Sequence, residues 1–230
     1  METAERRFTR GLVEVRAEDG GDGTAPMRVG GYAAKFNKLS RNLGGFVERI
    51  DPGFFAKSEG DGWPDVMARY NHDDNMLLGT TTGRTLALAV DGTGLDYTAT
   101  LPAARADVYE LVQRGDVSRS SFAFYTFEDD WSMTDQDFPL RTLLSGQLVD
   151  VAPVNTPAYL DTSSGLRSLA DKAGADLAEV RAAAEGGQLG RFLGAKPPTV
   201  IDLATRGQGD THPLMAVRQR RAALYQRRTP

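Results

Sequence analysis

Residues 117–125 read Val-Ser-Arg-Ser-Ser-Phe-Ala-Phe-Tyr, and this stretch constrains the fold more than any other part of the chain. Side chains of a β-strand alternate between its two faces, so Phe122 and Phe124 share one face while Ser121, Ala123 and Tyr125 share the other. Adjacent aromatic positions on one face call for an apolar layer beneath the strand. With the phenylalanines in that layer, Ser121 faces a groove.

Strand character recurs along the body. Alternation at Val13 and Val15, and again from Val29 to Phe36, brackets the turn-forming stretch Glu18-Asp19-Gly20-Gly21-Asp22-Gly23. Residues 37–65 form an irregular connection in which Ile50-Asp51-Pro52-Gly53-Phe54-Phe55 predicts a short strand, a proline-started turn and a brief helix. Residues 66–70 predict a strand that delivers His72 at its end. Strand character resumes at Leu77 and runs to Val90, and Asp91-Gly92-Thr93-Gly94 predicts a hairpin turn before Leu95. Between Pro102 and Gly115 the period becomes helical, with Val108, Leu111 and Val112 on one face and Gly115 at the C-terminal cap. The acidic residues from Glu128 to Asp137 read as a solvated hairpin connection, and residues 148–154 as the last strand of the body.

After Gly165 the chain turns to Ala, Gly and Arg. Leu166, Leu169, Ala173, Leu177 and Val180 keep helical spacing up to Gly186-Gly187, and a second, basic amphipathic stretch is expected from Leu214 to Tyr225. Charge divides the chain at the same place: residues 1–165 carry 16 Lys+Arg against 25 Asp+Glu, and residues 166–230 carry 11 against 6. The expected organisation is a body over 1–165 and a C-terminal helix with a basic, flexible tail over 166–230. The tail's arginines suit nucleic acid or an acidic protein surface, whereas the acidic body is no match for nucleic acid. No run approaches the ~18 apolar residues of a membrane span, so no membrane partner is expected. The chain has no cysteine, which excludes disulfides, zinc-thiolate sites and thiol nucleophiles and fits an intracellular protein.

Tyr70-Asn71-His72-Asp73 and residues 117–124 supply a base and a candidate nucleophile about fifty residues apart. A hydroxyl attacks well only when a base with a pKa near 7 takes its proton, and imidazole is the side chain suited to this. Of the two histidines, His212 lies in the tail, so His72, in Tyr70-Asn71-His72-Asp73, is the base the body offers. Ser118, Ser120 and Ser121 are the neighbouring candidate nucleophiles; parity turns Ser121 away from the phenylalanines. A metal-dependent hydrolase built on His72 with Asp73 and Asp74 is a further alternative, although ligands adjacent in sequence do not easily face one ion. No cofactor or metal is expected.

Several segments, in order, resemble the prohead (procapsid maturation) proteases of tailed bacteriophages. They are Gly31-Tyr32-Ala33-Ala34-Lys35-Phe36-Asn37, Leu43-Gly44-Gly45-Phe46 with Ile50-Asp51-Pro52-Gly53-Phe54-Phe55, Tyr70-Asn71-His72-Asp73 with Leu78-Gly79, Gly115-Asp116-Val117-Ser118 with Ser121-Phe122-Ala123-Phe124, and Asp150-Val151-Ala152-Pro153-Val154 with Pro157-Ala158-Tyr159. The resemblance covers roughly residues 30–159. It implies a serine endopeptidase with a closed antiparallel β-barrel surrounded by helices, related in fold to the herpesvirus assemblins. It maps Ser121 to the nucleophile and His72 to the general base. Asp150 stands where the family carries an acid at the end strand, which implies an orienting role; Asp73 and Asp74 are the reserves, and a surface carboxylate at a strand edge is the plainer reading of Asp150. Where the family commonly has Gly-Met before the nucleophile and glycine after the phenylalanine, this chain has Arg119-Ser120 and Ala123. The implied substrates are the major capsid protein or a scaffold, and the protease itself, inside the assembling procapsid in the host cytoplasm, where self-association is a further expectation. The alternative is a non-catalytic capsid assembly scaffold that keeps the protease fold.

Overall fold

The computed structural model describes residues 4–9, 13–16, 25–155 and 163–193. In chain order these form β1 (Glu5–Thr9), β2 (Glu14–Val15), β3 (Arg28–Lys35), β4 (Val47–Ile50), α1 (Ala56–Gly60), β5 (Met67–Arg69), a 3-10 turn (Tyr70–His72), β6 (Leu77–Thr80), β7 (Leu86–Val90), β8 (Gly94–Thr100), a second 3-10 turn (Ala103–Arg105), α2 (Ala106–Arg114), β9 (Arg119–Met133), β10 (Pro139–Val154), α3 (Ser163–Ala173), α4 (Leu177–Glu185) and α5 (Gly190–Leu193). The turn-forming stretch 18–23, the motif Pro157-Ala158-Tyr159, His212 and the expected helix 214–225 lie outside the described residues.

The hairpin of β9 and β10, strands of 15 and 16 residues, organises one sheet. The outer edge of β9 takes β1 antiparallel, and the outer edge of β10 takes first β4 and then β5, both parallel, with β6 beyond β5. A second sheet runs in the order β2-β3-β8-β7. As alternation requires, Phe122 and Phe124 enter the core, where they meet Phe54, Phe55 and Val151 together with Val29, Ala33, Leu95 and Tyr97 of the second sheet. The Phe122 ring lies 4.9 Å from Phe124 and 5.8 Å from Phe55, centroid to centroid. Fully burying each such ring stabilises the fold by about 1.5–3 kcal/mol. Register shifts along β10 bend it over this core. At one of them, Gly146, an added Cβ would lie 2.3 Å from the Phe54 ring and 2.5 Å from the Tyr125 carbonyl, so the close approach admits only glycine.

The expected closed antiparallel barrel is not what these strands build. Among the described residues they form two open sheets in a mixed α/β arrangement, with β1 and β6 at the edges of one and β2 and β7 at the edges of the other. A closed barrel hydrogen-bonds every strand edge, and an antiparallel one alternates strand direction throughout. Here the outer edge of β10 is taken by two short parallel strands instead.

The acidic residues after Tyr125 also differ from expectation. β9 continues through them to Met133, and the turn is confined to a few residues closed by the Thr134 N–H donating to the Phe138 carbonyl at 2.8 Å. Asp129 is buried, because Arg141 on the facing strand lies 2.6 Å from it. The helical period from Leu166 to Gly186 resolves into α3 and α4, separated by Gly174 at φ +61° and by Asp176, whose carboxylate caps the Ala178 N–H at 2.8 Å. Their apolar faces form a second cluster with Leu43 and Phe46.

β1 is fastened by buried charge. Arg141, 1% exposed, reaches Glu5 at 2.8 Å, Glu48 at 3.1 Å and Asp129 at 2.6 Å. Arg7 reaches Glu48 at 2.6 Å and Glu5 at 2.7 Å. Burial alone would raise the Glu5 carboxyl, but the Arg141 and Arg7 guanidiniums more than offset it and hold its pKa at about 2, against an ordinary 4.5. A depressed folded-state pKa stabilises the fold above the unfolded value, so this contribution is complete above pH 4.5 and is lost as pH falls towards 2. Unfolding by urea at a series of pH values checks this. The parent should exceed Glu5→Gln by on the order of 3 kcal/mol at neutral pH, and the gap should close near pH 2; a gap independent of pH would contradict the assignment.

Candidate active site

Ser121, His72 and Asp150 come from three separate segments, and strand pairing brings their backbones together. On the face of the hairpin opposite the phenylalanines, Ser121 stands across from Ala152 and Ala123 across from Asp150. Small residues between the serine and the acid leave room for a ring. β5 lies beside β10, with Met67 opposite Asp150, and then turns sharply. Asn71 and His72 both adopt left-handed backbone, at φ 55° and 57°. Asparagine accepts this conformation readily, whereas histidine does so at a cost of roughly 1–2 kcal/mol. The Asn71 side-chain oxygen accepts from the Asn155 N–H just past β10 at 3.1 Å, which fixes the turn to the strand it overhangs. The result folds the imidazole back over β10.

His72 Nδ1 is 2.6 Å from Asp150 Oδ1, and His72 Nε2 is 2.6 Å from Ser121 Oγ. An ionised carboxylate only accepts, so Nδ1 carries the proton that points at Asp150 and, in the neutral ring, Nε2 is left to accept from the serine hydroxyl. The second oxygen of Asp150 accepts from Arg69 Nη1 at 3.1 Å. Asp150 is 1% exposed, and a buried carboxylate of this kind needs both partners. Arg69 also reaches Asp74 at 3.0 Å and places its other terminal nitrogen against the Met67 sulfur. Ser121 is fully buried rather than open to a groove, and its Oγ also lies 2.8 Å from the Arg7 carbonyl of β1, a second acceptor for its one proton.

The other candidates fall elsewhere. Ser120 shares the phenylalanine face, where its Oγ lies 3.3 Å from the Tyr97 hydroxyl; burial pushes the Tyr97 pKa well up, so that hydroxyl keeps its proton. Ser118 precedes β9, and its carbonyl accepts from the Val13 N–H. Asp73 accepts from the Asn75 N–H at 2.8 Å, and Asp74 is largely exposed beside Arg69. Both ring nitrogens of His72 are engaged by Asp150 and Ser121, and among the described residues no group of three metal-ligating side chains converges to hold an ion.

Two features of the site escape a reading of the sequence. Arg69 leaves a faint signal, a charge in a short strand two residues after Met67 and three before the imidazole. The contact of Arg7 with Ser121 leaves none, because it depends on a pairing between strands more than a hundred residues apart.

The sequence matches the model of the Caudovirus prohead serine protease family over residues 12–173. No curated protein matches the chain. A similar solved structure is that of the bacteriophage T4 capsid assembly protease, gp21, at a TM-score of 0.42 and 9% identity, covering 65% of this chain and 98% of that one. With the family model spanning well over half of its length, from just before β2 into α3, the chain belongs to the caudovirus prohead serine protease family.

Proposed function

We propose that this protein is a serine endopeptidase in which Ser121 is the nucleophile, His72 the general base and Asp150 the orienting acid. The observation that carries the proposal is the line from Ser121 Oγ to His72 Nε2, and from Nδ1 to Asp150 Oδ1, each link 2.6 Å long and shielded from water. Ser121 Oγ attacks the scissile carbonyl carbon as its proton passes to Nε2. The imidazolium so formed is stabilised by Asp150, which Arg69 holds in place; the proton then passes to the leaving amine, and water, deprotonated by the same nitrogen, releases the acyl group.

Family membership directs the activity to the phage prohead. The proposed substrates are the scaffolding segment of the major capsid protein or a separate scaffold, and the protease itself, cleaved within the procapsid in the host cytoplasm. Residues 166–230 are proposed as the docking part of the chain, and their last 35, residues 196–230, carry seven Lys+Arg against two Asp. Deleting 196–230 should leave cleavage of capsid protein in solution unchanged and lower the amount of protease retained in assembled procapsids. Equal retention would remove the docking role.

The test of the central proposal is intact mass and gel analysis of the chain and of Ser121→Ala, each co-expressed with the major capsid protein. Shortened capsid protein or shortened protease with the parent, and neither with Ser121→Ala, is the expected result. Unshortened chains in both, with assembly still dependent on the protein, would favour a scaffold that keeps the fold without the chemistry. Asp150→Asn should preserve the packing but favour the wrong imidazole tautomer, lowering kcat for capsid cleavage on the order of 10³–10⁴-fold with little change in KM. A decrease under tenfold would place the orienting group elsewhere.

A further inference from the structure

Ser121 is completely buried, and what meets it on the side away from His72 is backbone from β1. This strand runs antiparallel to β9, with Phe8 opposite Ser121 and Arg7 opposite Phe122, and forms an edge of its sheet. It is extended, and it presents the Arg7 carbonyl to the serine oxygen at 2.8 Å. An extended peptide adding to a sheet edge gains affinity from the backbone ladder and specificity from pockets for alternate side chains. β1 has both: Glu5 and Arg7 point into the buried charge cluster of Arg141 and Glu48, while Arg6 between them is exposed. The family match begins at residue 12, after β1, so this strand lies outside the matched domain.

The contact also competes for the hydroxyl proton. Ser121 Oγ carries one proton and has two acceptors in reach, His72 Nε2 at 2.6 Å and the Arg7 carbonyl at 2.8 Å. When the proton is donated to Arg7, His72 has none to take. A substrate carbonyl, moreover, cannot reach Oγ while β1 is seated.

We propose that the edge of β9 from Ser120 to Phe124 is the peptide-binding edge of the protease, and that β1 fills it as a built-in, substrate-like strand that must leave before Ser121 can react. The partner that fits the vacated edge is an extended peptide with an acid in the place of Glu5 and a base in the place of Arg7, paired to Arg141 and Glu48. This inference rests on the proposed role of Ser121 as an activated nucleophile.

The test reads the rate at which a small fluorophosphonate modifies Ser121, followed by intact mass, in the full-length parent and in full-length Glu5→Lys, with Ser121→Ala as the blank. The lysine sets like charge against Arg141 and Arg7 and expels β1, so labelling should accelerate roughly tenfold or more, in proportion to the open population. Excess synthetic peptide spanning residues 4–9 should slow Glu5→Lys back towards the parent, and the same peptide carrying lysine in place of Glu5 should not. Equal rates in parent and folded variant would overturn the latch while leaving the activated serine intact. Labelling in neither would overturn both the latch and the proposed function. A measurement on the parent alone guards against misfolding of the variant: in the phosphonylated parent the β1 amides should exchange hydrogen faster than in the free protein, and retained protection there would overturn the inference.

Discussion

The antiparallel pairing of β9 with β10 is the constraint on which the rest of the molecule depends. Because side chains alternate on both strands, one register fixes two outcomes together. Phe122 and Val151 face the core, and Ser121, Ala123, Asp150 and Ala152 face the other way. A slip of one residue would exchange the faces, placing a carboxylate among phenylalanines and removing the proposed nucleophile from reach of His72. The register is held by what the core admits, including Gly146, which lets the Phe54 ring approach the β10 backbone. Packing on one face therefore sets the geometry of the polar line on the other.

Buried charge is the second constraint, and it is handled in the same way at two places. Asp150 divides its oxygens between His72 and Arg69, so neither is left without a donor. Glu5, Glu48 and Asp129 share Arg141, with Arg7 and Lys172 completing the cluster. Neutralising a buried pair leaves little net gain over an apolar core, whereas removing one member strands its partner at a cost of about 3–5 kcal/mol. Such a cluster also specifies which strand sits where. Here the specified strand is β1.

Local regularity made much of this legible in the sequence. The parity of 121–125, the strand ending near His72, the helix closed by Gly115 and the hairpin at Asp91 all depend on neighbours in the chain, and all appear. Asp150 is legible through resemblance rather than periodicity, since a carboxylate near a strand end looks the same whether solvated or buried. In the acidic stretch at 128–137 the carboxylates are exposed, as in a solvated connection, except that the strand runs on to Met133 and Asp129 is buried against Arg141, a partner supplied from across the hairpin. The barrel failed for a related reason: alternation indicates that a segment is a strand, but not whether β4 and β5 will pair with β10 in parallel and leave the sheets open.

The same strand that the charge cluster fastens is the one that touches Ser121, so stability and access to the site are linked through β1. A contact to Arg141 made by Glu5 lowers the free energy of the body and, through two residues of extended chain, sets the Arg7 carbonyl on the serine hydroxyl. Whatever draws β1 from its edge must break the ion pairs first, and an incoming peptide does this at least cost when it supplies equivalent charges as it enters. Strand exchange then conserves both the backbone ladder of β9 and the pairing of Arg141, which is why the groups that hold the chain in its resting arrangement are also those best placed to select what replaces it.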